Sequence, residues 1–369
     1  MRRRIAGFVV TIQLLLFFGH WLVYETWMYF SRPGTPQEVR ALQIALGVLS
    51  VTFIAASTLS FRFNNPLVRM FYTISAAWIG TLNYLVLGAW GCWIVYGAGL
   101  LMKAPANRPE IGAVLFGAAI AVSLYGIINA SLVRVRRITV KLPGLPEAWR
   151  GRTAALVTDV HLGHVRGAGF LRRVIALVRK QNPDIVFIAG DLYDGGKVDA
   201  DGLVAPWKNF SAPFGTYFVT GNHEGFTNPR KYIEAVEGAG IRALENERVE
   251  VDGLQILGVN YSDSRSAEQL QAILDKGGVE RGRASVMLLH VPHGMAITEK
   301  HGVSLQLSGH THSGQMFPFT WFTHRVFGSY TYGLSRFGEM QVFTSCGAGT
   351  WGPPMRVGTT PEIVLIRFE

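Results

Sequence analysis

Apolar and polar positions divide the chain into two halves of different texture. Residues 5–23, 41–61, 70–101 and 111–130 contain no Lys, Arg, Asp or Glu. Each run is close to or above the ~20 residues a helix needs to cross a bilayer. Four such runs, apolar on every side, predict about four membrane helices rather than buried core helices. One N-terminal run alone would suit a cleaved signal segment, but four runs do not. The run 70–101 is longer than one span needs, so it predicts a tilted span, a partly interfacial one or a re-entrant pair.

After Ala130 the period changes. Val133, Val135, Ile138, Val140 and Leu142 stand among basic residues, mostly at alternate positions, and predict a strand leaving the membrane. Pro143, Gly144 and Pro146 then mark a turn. From Thr153 onward short apolar runs alternate with helical periods. Strands are predicted at 154–157, 185–189, 216–220, 251–259, 286–289, 303–307, 340–344 and 363–368. Helices are predicted at 170–180, 231–236 and 267–274. The expected organisation is a membrane region over 1–132, a linker with one strand over 133–152, and a layered α/β domain over 153–369.

Composition and charge sharpen this division. With 16% charged residues and a mean hydropathy of +0.23, the chain is not a disordered tail protein. The net charge of +10 would suggest nucleic acid, but +9 of it falls in residues 1–140 and only +1 in residues 141–369. Basic residues therefore flank apolar runs, the pattern of membrane orientation, and no nucleic-acid partner is expected. With the N-terminus inside, the inner flanks hold Arg2, Arg3, Arg4, Arg62, Arg69, Arg134, Arg136, Arg137 and Lys141. The outer loops hold Arg32, Arg40, Lys103 and Arg108. Nine charges against four place both ends in the cytoplasm, unless 70–101 is re-entrant. His20 and Glu25, beside Tyr24, Trp27 and Tyr29, are expected in an interfacial belt. Cys92 and Cys346 are too few for a disulfide framework.

The candidate chemistry follows the predicted strand ends. Asp159 and His161 come after the first strand of the α/β pattern, and Asp191 and Asp194 after the second. Asn222, His223 and Glu224 follow the third, His290 the strand at 286–289, and His310 and His312 the strand at 303–307. Loops at the carboxyl ends of strands are the usual ligand sites of α/β sheets. Glycines precede Asp191, Asn222 and His310, where tight turns would re-aim the next side chain. Carboxylate oxygen and neutral imidazole suit hard or borderline divalent ions. Asp159, His161, Asp191, Asn222, His290, His310 and His312 exceed the four ligands of one tetrahedral site and suit two metals sharing a carboxylate. Asp194 and Glu224 either orient histidines or supply turn polarity. His164, His293, His301 and His324 fall outside the pattern.

In order, these motifs read D-V-H, G-D-L-Y-D, G-N-H-E, a lone His and G-H-T-H. The series resembles the calcineurin-like metallophosphoesterases. Cys346-Gly347-Ala348-Gly349-Thr350-Trp351 and Pro361-Glu362-Ile363 are similar to their membrane-associated bacterial branch. The resemblance covers Thr153 to the C-terminus. It implies a β-sandwich flanked by helices and two divalent ions, manganese, iron or zinc. It implies Asp159, His161 and His312 on one metal, Asn222, His290 and His310 on the other, and Asp191 between them. His223 would be the non-ligand histidine that protonates the leaving oxygen.

The expected activity is hydrolysis of a phosphodiester or pyrophosphate, lipid-linked or not, at the cytoplasmic face of a bacterial inner membrane. A specific alternative is the UDP-diacylglucosamine pyrophosphatase step of lipid A synthesis. Alternatives of another class are a transporter, or a metal-binding scaffold, with a regulatory soluble domain. The segment 316–322 is unusually apolar for a loop beside such a site. It either meets lipid or packs as a hairpin feeding the sandwich core.

Overall fold

The computed structural model describes residues 2–31, 34–104 and 107–369, with side chains from residue 7 onward except residue 8. Arg32, one of the outer-loop charges, and the side chains of Arg2, Arg3 and Arg4 lie outside the described set. The chain divides into two compact units, one of residues 1–128 with 352–355, the other of residues 129–351 with 356–369.

The first unit contains α1 (Arg2–Phe30), α2 (Pro36–Ser60), α3 (Pro66–Leu101) and α4 (Arg108–Asn129), the last of which ends at the unit boundary. All four are long and apolar enough to cross a membrane. Local chemistry sets two of the starts. Thr35 and Glu38 form a reciprocal capping box ahead of Pro36, and Asn65 accepts from the Val68 N–H ahead of Pro66. Because α3 is one continuous helix of 36 residues, the stretch 70–101 contains no re-entrant pair. His20 departs from the interfacial expectation. It is buried, donates from Nδ1 to the Leu16 carbonyl at 2.7 Å, and accepts at Nε2 from the Trp78 indole at 2.9 Å. Its polarity is satisfied within the helical unit, as a group in apolar surroundings requires.

The second unit is a two-sheet sandwich. Its strands are β1 (Arg134–Val140), β2 (Thr153–Val157), β3 (Ile185–Ala189), β4 (Thr216–Val219), β5 (Arg242–Ala243) and β6 (Glu247–Val251). They continue as β7 (Leu254–Val259), β8 (Ser285–Leu289), β9 (Leu305–Ser308), β10 (Gly333–Phe337), β11 (Met340–Thr344) and β12 (Glu362–Phe368). The sheet orders are β1-β12-β2-β3-β4-β5 and β10-β11-β9-β8-β7-β6. β1 is thus part of the sandwich and not a connecting strand, pairing in parallel along its whole length with β12. Most of the strand predicted over 251–259 is β7, and its first residues belong to a hairpin, because Asp252 and Gly253, both at positive φ, turn β6 back into β7.

Strand alternation sorts the core. Leu156, Phe187, Ile256, Leu288, Leu307 and Ile366 meet between the sheets. The opposite faces carry their own clusters. Val157, Val186 and Ile188 pack with α5 (Ala168–Gln181), α6 (Ala200–Val204) and α7 (Pro229–Glu237). Leu257, Met287 and Leu289 pack with α8 (Ala267–Gly277) and α9 (Met295–Lys300). β3 and β8, apolar on both faces, are buried throughout, as central strands covered on both sides must be. This is the helix-flanked sandwich that the sequence led us to expect. One segment differs. Residues 319–327 form α10 (Phe319–Phe327), and none of its residues is buried, so this stretch is not a hairpin feeding the core.

Candidate metal centre

β2, β3 and β4 run parallel in one sheet, and β8 and β9 run parallel in the other. Their carboxyl ends therefore open on the same edge of the sandwich. The loops beyond those ends bring all seven proposed ligands together. Asp159, His161 and His312 place one ligand atom each within 4.8 Å of the others, and Asp191, His290 and His310 do the same. Asn222 joins the second group, its Oδ1 lying 3.1 Å from His290 Nε2 and 2.8 Å from His310 Nδ1. Asp191 Oδ2 sits 3.1 Å from His290 Nε2 and 3.9 Å from His161 Nε2, so it faces both groups.

The backbone is strained to make this edge. Asp159, His161, Asp191, His310 and His312 all have φ between 47° and 70°. Non-glycine residues rarely adopt this left-handed region, at a cost of about 1–3 kcal/mol each. Such strain clusters where a fold must aim side chains rather than stabilise itself. The preceding glycines contribute mainly by what they lack. A Cβ on Gly221 would overlap the Asp191 carboxylate, and one on Gly309 would overlap the Asp159 carboxylate. Neither has a positive φ, so close approach and not turn geometry explains these two, whereas Gly190, at φ 84°, takes the turn expected before Asp191. Gly221→Ala is expected to lower turnover about 100-fold, the effect of a misplacement of about 1 Å, with the circular dichroism spectrum unchanged.

Charge is balanced among buried side chains. Burial pushes the Asp159 carboxyl up, although His290 and His161 act against it. Burial also opposes ionised Asp191, but the facing His290 and His223 outweigh it and hold this carboxyl well below the usual range. His290 is pushed up to about 10 and His223 to about 9, burial opposing and Asp191 prevailing in both. Burial lowers His310 to about 3 and His312 well below the imidazole range. Those two rings are neutral, the form in which imidazole binds a metal. His161 Nε2 and His312 Nε2 face one another at 3.0 Å. Imidazole nitrogens and carboxylate oxygens gathered in two groups, Asp159 with His161 and His312 and Asp191 with His290 and His310, are a donor set that fits two divalent ions.

Supporting residues separate into two kinds. Asp194 faces two rings: its Oδ1 lies 3.4 Å from Nδ1 of both His161 and His223, and its backbone carbonyl accepts from His223 Nδ1 at 3.1 Å. Glu224, fully buried, orients no histidine. It accepts from the backbone N–H groups of Asp191, Tyr193 and Gly221 at 3.1, 2.9 and 2.7 Å, tying two loops together. Arg356 escaped the sequence reading altogether. Wholly buried, it donates to the carbonyls of Cys346, Gly347 and Gly349 and approaches His312 Nδ1 at 3.2 Å. Its only signal in the sequence was an Arg in an otherwise apolar, glycine-rich stretch. His164, His293, His301 and His324 belong to none of the three candidate metal groups among the described residues. The third group, His161 with Asp194 and His223, uses the Nδ1 side already described.

Comparison with known proteins agrees with this geometry. Residues 153–314 match the calcineurin-like phosphoesterase family. Over 275 residues the chain is 31% identical to a transmembrane protein with metallophosphoesterase domain from Danio rerio, covering 70% of this chain and 62% of that one. It is 30% identical over 254 residues to a metallophosphoesterase of Campylobacter jejuni, covering 67% of this chain and 66% of the relative. A Helicobacter pylori metallophosphoesterase is 31% identical over 217 residues, 58% of each chain. The alignments thus span roughly three fifths to two thirds of these relatives. Five motifs in family order, converging from two sheets on one strained edge, make this chain a member of the calcineurin-like phosphoesterases through its C-terminal domain.

Proposed function

We propose that the chain is a membrane-anchored phosphoester hydrolase that cleaves a phosphodiester or pyrophosphate with two divalent ions. The observation that carries this reading is the Asp191 carboxylate, whose Oδ2 lies 3.1 Å from His290 of one group and 3.9 Å from His161 of the other. Asp159, His161 and His312 would hold one ion, Asn222, His290 and His310 the other, with Asp191 between them. Ions held there would supply an acidified water and a clamp on the phosphoryl oxygens. The side chains do the remaining work. Asp194 fixes the His223 ring through Nδ1, leaving Nε2 to deliver a proton to the departing oxygen. The buried carboxylates and neutral imidazoles keep the ligands set before substrate arrives.

The test is turnover of bis(p-nitrophenyl) phosphate, and of pyrophosphates including UDP-diacylglucosamine, by the full chain in detergent. Activity that disappears on chelation and returns with manganese is expected. Binding of the ions without turnover of any phosphoester would instead favour a metal-binding scaffold.

The same proposal places the domain in the cytoplasm, at a bacterial inner membrane. Support comes from the excess of basic residues at the inner flanks and from a continuous α3, which keeps the number of candidate spans even. A C-terminal fluorescent fusion should glow and a C-terminal alkaline phosphatase fusion should stay inactive. The reverse pattern would move the site to the outer face.

A further inference from the structure

Apolar side chains on the surface of the α/β unit are not scattered. Of the ten exposed large apolar residues within 129–369, seven lie between Phe317 and Leu334. Phe317, Phe319, Trp321, Phe322 and Val326 are each about half exposed or more, Val326 reaching 75%. Lipid-facing positions of the candidate spans are exposed to the same degree, Leu14 at 62% and Val48 at 58%. A contiguous patch of this kind on a soluble domain marks a binding surface, whereas single exposed leucines do not.

The patch also has the chemistry of a bilayer interface. α10 contains Arg325 and His324 and no acidic residue. The Arg325 guanidinium lies over the Trp321 ring at 5.0 Å, an aromatic body with a cationic tip. Aromatic rings with basic tips settle at the headgroup level, where anionic lipid attracts the charge. Four residues separate the end of α4 from the start of β1, a tether of at most about 17 Å.

The patch reaches the metal centre. Phe327, the last residue of α10, has its ring centroid 6.1 Å from that of His310. On the other side of the centre, exposed Phe226 and Trp351 lie 4.5 and 6.4 Å from the His223 ring. From these observations we infer that Phe317 and α10 insert into the headgroup–acyl boundary of the bilayer, and that the site takes phosphoesters of membrane amphiphiles. The apolar tail would lie along the aromatic rim while the phosphate reaches the histidines. This inference rests on the hydrolase reading for the substrate, but not for the insertion.

The experiment keeps the two apart. Both native cysteines are buried, so Val326→Cys and Lys276→Cys can each be spin-labelled in the full chain, in nanodiscs of phosphatidylcholine and phosphatidylglycerol. The label at 326 should collide with oxygen in preference to a water-soluble nickel chelate, and the label at 276 should show the reverse. Water-like behaviour at 326 overturns the insertion. So does shielding from both reagents, which would mean that protein covers the helix.

Substrate class is read with the hexadecyl and ethyl esters of p-nitrophenyl phosphate, which share a leaving group and differ only in the tail. Trp321→Ser with Phe322→Ser should lower the hexadecyl-to-ethyl ratio of kcat/KM about tenfold. An unchanged ratio overturns the amphiphile assignment. Turnover of neither ester overturns the hydrolase reading and the substrate class with it, while the label still decides the insertion.

Discussion

Asp191→Ala should strip the full chain of divalent ions more completely than Asp159→Ala does. Asp191 Oδ2 lies 3.1 Å from His290 of one group and 3.9 Å from His161 of the other, whereas Asp159 Oδ1 is nearest His312 of its own group at 3.5 Å and reaches His290 only at 4.0 Å. Removing it takes an oxygen ligand from both positions at once. Turnover is expected to fall about 10³-fold or more, since the electrostatic stabilisation of the site goes with the ions. Elemental analysis of the purified chain is the direct measurement. Equal and full occupancy in the Asp191 variant would refute the shared-carboxylate assignment. Asp159→Ala is the control for mere damage to a buried site, because it removes an equally buried carboxylate.

His223→Ala should separate proton delivery from metal binding. The ring faces Asp194 on its Nδ1 side and falls outside the two groups assigned to the ions, sharing only the third group with His161 and Asp194. The variant should therefore keep its ions and lose about 10²–10⁴-fold in turnover, the usual contribution of a positioned acid. The loss should depend on the leaving group. p-Nitrophenolate departs with little help, so its ester should suffer less than an alkyl ester. Loss of metal together with the imidazole would make His223 a ligand. Equal slowing of both esters, with the ions in place, would assign it to phosphate charge and not to proton transfer.

The sequence reading reached the candidate site because this chemistry is laid out locally. Each proposed ligand follows a short apolar run by one to five residues, and a strand end has nowhere else to put its next side chains. The membrane helices were legible for a similar reason, since uninterrupted apolar length is a local property. What failed were elements whose conformation depends on distant partners. β10 is only partly buried and too polar to read as a strand, with Ser335 and Arg336 inside it, and it exists by pairing with β11. β1 was legible as a strand but not as a member of the sandwich, because its partner, β12, lies more than 200 residues further on. Glu224 looked equivalent to Asp194, yet one binds backbone and the other binds rings.

By itself, then, the sequence determined the two-part organisation, the helix-flanked α/β domain and the identity of the residues that converge. Those properties follow from hydrophobic period and from spacing along the chain, both readable without partners. Tertiary structure alone decided which groups each residue faces. It set Asp191 between two imidazole groups, brought Arg356 under His312 from 44 residues away, and left α10 uncovered. Contacts of this kind depend on how two sheets stack and on which loops then share an edge, and no local pattern encodes that distance.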